Sequence, residues 1–247
     1  MFGWRARIAL VLPADNTVIE PELYALGIDG VSYHGLRLTS DDPETMRRQA
    51  GELATAIDEM AADVVVYACA ETSFNGGSGT SELLSEHMMA RCSVPVITAT
   101  AAMVDAVQHL GLHGVTVISP YSAQSGALLE ASLAERGIST RASCHHDFSE
   151  TSRDPRTWYD TNRQESWISY EMARRTDVPD SDGVLVSSTN LRTLATVQAL
   201  EDDLGKPVVT SNQAILWRCF VELGAAVAVP GHGRLLQPEP SEERPTS

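Results

Sequence analysis

Cys69 is the residue of this chain whose position best suits covalent chemistry. It ends an apolar run at residues 63–69 and opens a polar turn, so its sulfur is expected to face a crevice. A helix N-terminus or a nearby hydrogen-bond donor can lower the pKa of a thiol from about 8.5 toward neutrality, which yields a thiolate nucleophile. The alternative is a small buried hydrophobic residue, as cysteine often is. The position at a strand end favours the chemical interpretation.

The other three cysteines give weaker signals. Cys219 lies in a helical pattern and is predicted to belong to the core, whereas Cys92 has no evident partner. Residues 144–147, Cys-His-His-Asp, have the composition of a metal site, but their spacing fits no standard one. We therefore predict no metal site. Since the sequence has neither a C-x-x-C pair nor an export signal, we expect four reduced thiols in a cytoplasmic protein.

Small polar residues follow the ends of the predicted strands, where ligands of parallel α/β sheets bind. Serine, threonine and asparagine at helix starts suit the recognition of a carboxylate, although each could instead be a helix cap. The candidate segments are residues 13–17, 69–73, 98–100, 120–122, 187–190 and 210–212. Nucleotide, zinc-protease and hydrolase motifs do not occur, and glycine-rich residues 75–79 predict a lid or turn, so we predict no cofactor.

Six short apolar runs alternate with helical patterns and must position these residues. The runs are nearly continuous, which is typical of strands covered on both faces in a parallel sheet flanked by helices. They lie at residues 7–13, 63–69, 94–99, 115–120, 183–188 and 206–211. The alternation predicts βαβ units and hence an α/β fold.

Three helices carry start or stop signals. Asp42, followed by proline, predicts a helix start, and apolar residues then recur at steps of four and three as far as Met60. Two more helices are predicted over residues 122–136 and 191–204, each followed by a glycine that suits the left-handed turn after a helix.

The strands fall into two similar sets of three, which predicts two pseudosymmetric halves with the site between them. The second strand of each set ends at Cys69 or Ser188. We assign residues 1–112 to the half with Cys69 and residues 113–236 to the half with Ser188, leaving open an exchange of the N-terminal segment between the halves. Residues 237–247 are rich in proline, glutamate and serine and are predicted to be disordered.

Composition and charge narrow the classes of partner. The chain has 247 residues, of which 43% are hydrophobic and 21% charged, as in an ordinary globular protein. Its 18 lysines and arginines against 33 aspartates and glutamates give a net charge of −15. That charge argues against nucleic acid and anionic membrane surfaces as partners. The apolar runs are far shorter than the roughly 18 residues of a membrane span.

The motifs, taken in order, are similar to those of one enzyme family. They are Pro-Ala-Asp-Asn-Thr at 13–17, Tyr-Ala-Cys at 67–69, Thr-Ser-Phe at 72–74, Val-Pro-Val-Ile-Thr at 94–98, Ser-Pro-Tyr at 119–121, Ser-Ser-Thr-Asn-Leu at 187–191, Thr-Ser-Asn-Gln-Ala at 210–214 with Trp217, and Gly-His-Gly-Arg-Leu-Leu at 231–236. Together they resemble the maleate cis-trans isomerase and arylmalonate decarboxylase family of the Asp/Glu racemase superfamily, over nearly the whole chain.

The resemblance implies a cofactor-free enzyme with two Rossmann-like (flavodoxin-like) halves and cysteine chemistry on a small carboxylate between them. In isomerases of this family the first cysteine, here Cys69, adds to the double bond of maleate, and the adduct rotates and eliminates to fumarate. The implied substrate ligands are Asn16, Tyr121 and Asn162, with Thr72, Ser73 and Thr189 as further candidates from the same motifs. We also expect a homo-oligomer, either a dimer or a tetramer.

One departure from the family pattern is Ser188, which stands where a second cysteine is usual. A serine hydroxyl holds its proton too tightly to act as a carbon acid or base near neutral pH, so racemisation by two bases is disfavoured. Nucleophilic isomerisation and decarboxylation with Cys69 as proton donor both remain open. Whether the serine is natural or engineered is also open.

Ala70-Glu71 is the second departure, because relatives often carry small hydroxyl residues there. Arylmalonate decarboxylases use such hydroxyls to stabilise a dianionic intermediate, so their loss argues against that activity. A Glu71 facing the site would raise the pKa of Cys69 and repel a dicarboxylate. Glu71 is therefore expected either to turn away or to bind a cationic group on a substrate other than maleate.

The leading expectation is a maleate isomerase-like enzyme with Cys69 as nucleophile and Ser188 as a hydrogen-bond partner. Three alternatives stay open. The first is an arylmalonate-type decarboxylase, and the second is a racemase-like protein similar to the ectoine-utilisation proteins of the family. The third is a carboxylate-binding protein without catalysis, in which the serine marks a lost activity.

Overall fold

Two four-stranded parallel sheets form the framework of the computed structural model, which describes residues 2–156 and 159–237. The strands of the first sheet are β1 (Ala6–Pro13), β2 (Val31–Leu38), β3 (Val64–Tyr67) and β4 (Val96–Thr98). Those of the second sheet are β5 (Gly114–Ser119), β6 (Ser139–His145), β7 (Gly183–Val186) and β8 (Val208–Thr210). Their spatial orders, β2-β1-β3-β4 and β6-β5-β7-β8, are equivalent.

Helices connect the strands and cover the sheets. They are α1 (Ile19–Ala25), α2 (Pro43–Glu52), α3 (Ala54–Glu59), α4 (Ala70–Phe74), α5 (Thr80–Met89), α6 (Ala99–His109), α7 (Ala123–Glu135), α8 (Asp160–Arg163), α9 (Ser166–Thr176), α10 (Val197–Leu204) and α11 (Ser211–Glu222). Short 3-10 helices lie at Phe148–Thr151 and Arg234–Leu236. The predicted α/β fold with two parallel sheets is confirmed. All strands of the first sheet precede residue 112, and all strands of the second sheet follow residue 113. The domain bounds themselves stay a prediction.

The inner strands are covered on both faces, as their continuous apolar runs predict. All residues of β3 and of β7 are buried. Apolar residues from both sheets share one core cluster, and each sheet has a second cluster on its other face. An apolar run covered on two sides has no reason to alternate with polar residues.

Strands β2 and β6 were not predicted, because their burial is mixed, whereas the other two edge strands, β4 and β8, are almost fully buried. In β2, His34 and Gly35 are exposed, and in β6 Arg141 and Ser143 are exposed. Each strand pairs on one side only, with β1 or with β5. A strand with exposed residues needs no continuous apolar run, so the sequence pattern that marks the six predicted strands does not mark these two.

The predicted capping residue of α2 and the glycines that follow α7 and α10 are confirmed. The Asp42 carboxylate accepts the Thr45 N–H at 2.7 Å and caps α2, and Gly137 and Gly205 have left-handed φ values of 77° and 68°. The apolar face that runs to Met60 belongs to two helices rather than one. The chain tightens between them at Leu53, whose N–H donates to a carbonyl three residues back.

The helix predicted over residues 191–204 begins only at Val197, which corrects that prediction. Two of the preceding N–H groups have a partner in a distant part of the chain. Thr193 N–H and Leu194 N–H donate to one carboxylate oxygen of Glu22, at 2.6 and 3.0 Å. Glu22 lies on α1 and comes from the first half of the chain, so a distant residue determines where α10 starts.

Helices α6 and α11, which follow the last strand of each sheet, pack on each other and join the two halves. Their starts are equivalent: Thr98 caps α6 by accepting the Ala101 N–H, and Thr210 caps α11 by accepting the Gln213 N–H. These threonines end the matched third strands of the two sets. Cys219 on α11 is fully buried in this layer, as predicted.

No helix within the two described ranges is long and apolar enough to cross a membrane. The disorder predicted for residues 237–247 lies, apart from Gln237, outside the described residues.

Candidate active site

A cavity of about 710 Å³ lies where the carboxyl ends of the two sheets meet. Its wall is formed by the segments that follow β1, β2, β3, β5, β6 and β7, as expected of ligand sites in parallel sheets. The lining residues are Pro13, Ala14, Asp15, Asn16, Leu38, Thr39, Ser40, Asp41, Met46, Cys69, Ala70, Glu71, Thr72, Pro120, Tyr121, Ser122, Asp147, Ser149, Thr161, Ser188, Thr189 and Asn190. The cavity therefore contains both Cys69 and Ser188.

Cys69 lies directly before α4, half-buried, with one side against the core of the first sheet and the other on the cavity. Burial raises the pKa of its thiol to about 11. The polar groups of Thr72 oppose this shift, and the negative charges of Glu71 and Asp15 add to it. The sequence argument for a lowered pKa is thus wrong for the free site, since desolvation outweighs the local donors.

Thr72 hydrogen-bonds with Tyr67, which is buried more deeply than Cys69. Thr72 lowers the pKa of the Cys69 thiol against the effect of burial, and its Oγ1 lies 2.7 Å from the Tyr67 hydroxyl. Tyr67 is fully buried at the end of β3.

Ser188 follows β7 in the second half and is nearly fully buried. Its hydroxyl donates to Asn190 Oδ1 at 2.5 Å, and its backbone N–H donates to the Ser211 hydroxyl at 2.9 Å. These contacts hold Ser188 in place on the cavity wall. Its proton is directed to an amide oxygen, which fits a hydrogen-bonding group rather than an acid or base.

Thr189 joins the two halves beside this site. Its hydroxyl donates to the Ala68 carbonyl at 2.9 Å and accepts the Asn16 Nδ2–H at 3.0 Å. Asn16 is also buried, and its Oδ1 accepts the N–H groups of Val18 and Ile19 at the start of α1. One Nδ2–H of Asn16 remains for another acceptor, because an amide nitrogen carries two hydrogens.

Tyr121 and Glu71 lie on the same wall. The Tyr121 hydroxyl is 3.3 Å from Ser187 Oγ, and burial, followed by the charge of Glu71, raises the pKa of Tyr121 well above its ordinary value. The Glu71 carboxylate accepts the Ser125 hydroxyl at 2.6 Å. Glu71 lines the cavity, so it does not turn away from the site.

Two of the predicted substrate ligands do not line the cavity. Ser73 is fully buried, and its hydroxyl donates to the Ala70 carbonyl at 2.7 Å beside Thr100. Asn162 is also buried, and its Oδ1 accepts the Thr17 N–H at 3.2 Å. Both residues support segments that line the cavity.

The sequence reasoning missed two carboxylates of the cavity wall, Asp41 and Asp147. They follow β2 and β6, the two strands that were not predicted, so their strand ends were not considered as site positions. A polar segment after any strand of a parallel sheet lies at the carboxyl end of that sheet, whether the strand is central or at an edge. The expected topology of βαβ units was therefore the signal that could have found Asp41 and Asp147.

Residues 144–147 do not assemble a metal centre. His145 Nδ1 lies 2.7 Å from the Ser119 hydroxyl, and His145 Nε2 lies 2.8 Å from a Glu130 carboxylate oxygen. His146 packs edge-on against Phe148. Within the described residues, no group of three or more histidine, cysteine or acidic side chains could hold a metal ion.

Two α/β halves of equivalent topology, with one cysteine on a cavity between their strand ends, define the class of protein. The family model of arylmalonate decarboxylase matches residues 8–236, and the chain belongs to the arylmalonate decarboxylase family. This confirms the family that the motifs indicate.

The curated relatives of the chain are enzymes of two kinds. Maleate isomerase of Geobacillus stearothermophilus is 23% identical over 250 residues, which cover 93% of this chain and 96% of that protein. Arylmalonate decarboxylase of Bordetella bronchiseptica is 28% identical over 229 residues, 91% of each. The family to which the chain belongs thus contains isomerases and decarboxylases.

A solved structure shares the fold. It is a cysteine-to-serine variant of the Nocardia farcinica maleate cis-trans isomerase with a covalently bound succinylcysteine intermediate. The TM-score is 0.81 at 23% identity, and the match covers 94% of this chain and 98% of that one.

Proposed function

We propose that this protein is a cofactor-independent isomerase of a small unsaturated carboxylate, with Cys69 as the nucleophile. The observation that carries the proposal is the Cys69 sulfur on the wall of the cavity between the two halves. Its relatives include maleate isomerases, and a family structure holds a succinylcysteine, which is the adduct that a cysteine and maleate form. Ser188 does not prevent this reaction, since addition and elimination need one sulfur only.

The reaction balances without an added reagent. The Cys69 sulfur forms a bond to one alkene carbon, and the thiol proton goes to the neighbouring carbon, so the double bond becomes a single bond. Rotation about that bond exchanges the cis and trans arrangements. Elimination then breaks the carbon–sulfur bond, restores the double bond and returns the proton to sulfur.

The substrate carboxylate has two neutral donors on the wall. Tyr121 carries a hydroxyl whose 3.3 Å contact to Ser187 is long for a hydrogen bond between hydroxyls. Asn16 has one N–H left after its bond to Thr189. We assign these two groups to the carboxylate and assign Thr72 to the orientation of the sulfur. Ser188 and Thr189 position the wall opposite Cys69.

The test is to incubate the protein with maleate and follow the formation of fumarate by proton NMR. Wild type is expected to convert maleate, Cys69→Ala to be inactive, and Cys144→Ala to keep wild-type activity, because Cys144 is half-buried and does not line the cavity. Full turnover by Cys69→Ala would refute the role of the sulfur. A wild type that binds maleate without turnover would instead favour a carboxylate-binding protein.

Decarboxylation of a malonate-type acid is the second candidate, and the raised pKa of Cys69 favours it. When the bond to carbon dioxide breaks, its electron pair stays on the substrate as an enediolate. A thiol with a pKa of about 11 is neutral at pH 7 and can donate its proton to that carbon. Water then restores the thiol. Release of carbon dioxide from phenylmalonate, with deuterium incorporated from D₂O, separates this reaction from isomerisation.

A further inference from the structure

The charged residues that line the cavity are all acidic. Four carboxylates line it, Asp15, Asp41, Glu71 and Asp147, and they follow four different strands, β1, β2, β3 and β6. Among the described lining residues there is no lysine, arginine or histidine. A wall of this kind repels an anionic substrate and attracts a cation, and the effect is stronger inside a cleft than on an open surface.

Two of the four carboxylates lie beside the reacting sulfur. Asp15 and Glu71 are half-buried, and both act on Cys69 through their negative charge. Asp41 is exposed at the rim, and Asp147 accepts the N–H and hydroxyl of Ser149, at 2.9 and 2.6 Å. The inner pair, Asp15 and Glu71, is therefore the pair that a bound substrate would meet.

The guanidinium groups behind the wall, Arg37 and Arg47, have other hydrogen-bond partners, and the positive charge of Arg37 also acts on Asp15. Arg37 forms an ion pair with Glu20 and donates to the Asn16 carbonyl. Arg47 donates to the Thr72 carbonyl at 3.2 Å. The Glu71 carboxylate accepts the hydroxyl of Ser125, a neutral donor, at 2.6 Å.

We infer that the substrate is an amino-carboxylate, whose cationic amino group lies between Asp15 and Glu71 while its carboxylate lies at Tyr121 and Asn16. The inference rests on the proposed function and names its substrate class. It assigns the two carboxylates as specificity residues: they favour a substrate with one negative and one positive group over a dicarboxylate such as maleate, which has two negative groups to place in an acidic cavity.

The same arrangement links binding to reactivity. In the free site, burial is the main cause of the raised pKa of Cys69, and the charges of the two carboxylates add to it. An ammonium group between them offsets their field at the sulfur, which favours the thiolate. A correct substrate thus activates the nucleophile that attacks it, whereas a dicarboxylate adds to the opposing charge.

The experiment measures the rate at which Cys69 reacts with methanethiosulfonates of similar size and different charge. The reagents are the 2-aminoethyl compound, which is a cation, and the 2-sulfonatoethyl compound, which is an anion. Each forms a mixed disulfide with the cysteine and releases methanesulfinate, and peptide mass spectrometry reports each cysteine separately. Cys144, half-buried outside the cavity lining, is the internal reference for the general attraction of cations by a chain of net charge −15.

The cation-to-anion rate ratio is expected to be at least about tenfold higher at Cys69 than at Cys144. Asp15→Asn and Glu71→Gln should each lower the ratio at Cys69 and leave it unchanged at Cys144. The matched control is Glu135→Gln, which removes an exposed carboxylate at the opposite end of α7 from Ser125. Equal ratios at the two cysteines in wild type would overturn the inference, as would a Cys69 ratio that both substitutions leave unchanged.

Protection by ligands tests the substrate class directly. β-Alanine and γ-aminobutyrate should protect Cys69 from a neutral methanethiosulfonate at lower concentration than succinate does, and Glu71→Gln should reverse this order. Stronger protection by succinate in wild type would contradict the inference. Turnover of maleate by Cys69 without a charge preference refutes the inference alone, whereas a charge preference without turnover of any carboxylate refutes the proposed function alone.

Discussion

The Thr189 hydroxyl donates to the Ala68 carbonyl at 2.9 Å, across the boundary between the two sheets. Ala68 directly precedes Cys69, and Thr189 directly follows Ser188. This hydrogen bond therefore joins the backbone segments that carry Cys69 and Ser188 on the two sides of the cavity. Both residues are buried, so water cannot replace the bond without opening the site.

Replacement of Thr189 by valine is expected to destabilise the protein and to impair the site. The substitution leaves the Ala68 carbonyl and the Asn16 amide without their partner, at a cost of about 1–3 kcal/mol for a buried group left unsatisfied. Urea unfolding measures the change in free energy. Thr189→Ser keeps the hydroxyl and is the matched control; if it destabilises the protein as much as valine does, packing rather than hydrogen bonding is the cause.

The alkylation rate of Cys69 is expected to rise with pH well beyond the range of an ordinary thiol. Since burial raises its pKa to about 11, the thiolate fraction should increase by about tenfold per pH unit between pH 7 and pH 10. Peptide mapping after brief treatment with iodoacetamide gives the rate at Cys69 itself. A plateau near pH 8.5 would contradict the raised value.

Glu71→Gln should move this profile to lower pH. The substitution removes one of the two negative charges that raise the pKa of Cys69, while the amide oxygen can still accept the Ser125 hydroxyl. Alkylation at pH 8 should therefore be faster in the variant than in wild type. Ser125→Ala is the companion variant, because it removes the hydroxyl that holds Glu71 and leaves the charge; a profile moved equally by both variants would assign the effect to position rather than charge.

Ser188→Cys should add an exchange activity that the natural pair lacks. A thiol can give and take a carbon-bound proton, whereas the serine hydroxyl cannot near neutral pH. With cysteines on both sides of the cavity, the hydrogen next to the carboxylate of a saturated substrate is expected to exchange with D₂O, as NMR would detect. Ser188→Ala is the control. Exchange that is equally fast in wild type would refute the assignment of Ser188 as a hydrogen-bonding group.

Glu22→Gln should destabilise the contact between α1 and the second half. The carboxylate accepts the N–H groups of Thr193 and Leu194 and the amide of Asn212, and an amide cannot accept all three. A loss of about 1–3 kcal/mol is expected in chemical unfolding at pH 7, as for a buried hydrogen bond to a charged group.

The pH dependence at Glu22 has a defined sign. Burial raises the pKa of Glu22 above its ordinary value of 4.5, so the folded protein holds this proton more tightly than the unfolded chain. The contribution of Glu22 to the free energy of unfolding is thus greatest below its unfolded pKa and decreases as the pH rises through its folded pKa. The stability difference between wild type and Glu22→Gln should fall over that range. A constant difference from pH 4 to pH 7 would contradict the shift.

The inner strands and the family could be predicted from the sequence, because both depend on local patterns. Residues 63–69 and 183–188 are continuous apolar runs, and a strand covered on both faces must be apolar throughout. The polar turns that follow place Cys69 and Ser188 at strand ends, and the equivalent order of the two sets of strands indicates two halves. These conclusions need no contact between distant parts of the chain.

Strands β2 and β6, the start of α10 and the charge of the cavity were decided by the tertiary structure. Strands β2 and β6 are partly exposed, so their own residues carry little pattern, and the carboxylates Asp41 and Asp147 beyond them were missed. Helix α10 starts late because Glu22, remote in sequence, binds the preceding N–H groups. The pKa of Cys69 likewise depends on burial and on Asp15, which folding brings to the sulfur. Residue type is local, whereas solvation and electrostatic fields are sums over neighbours that only the folded chain defines.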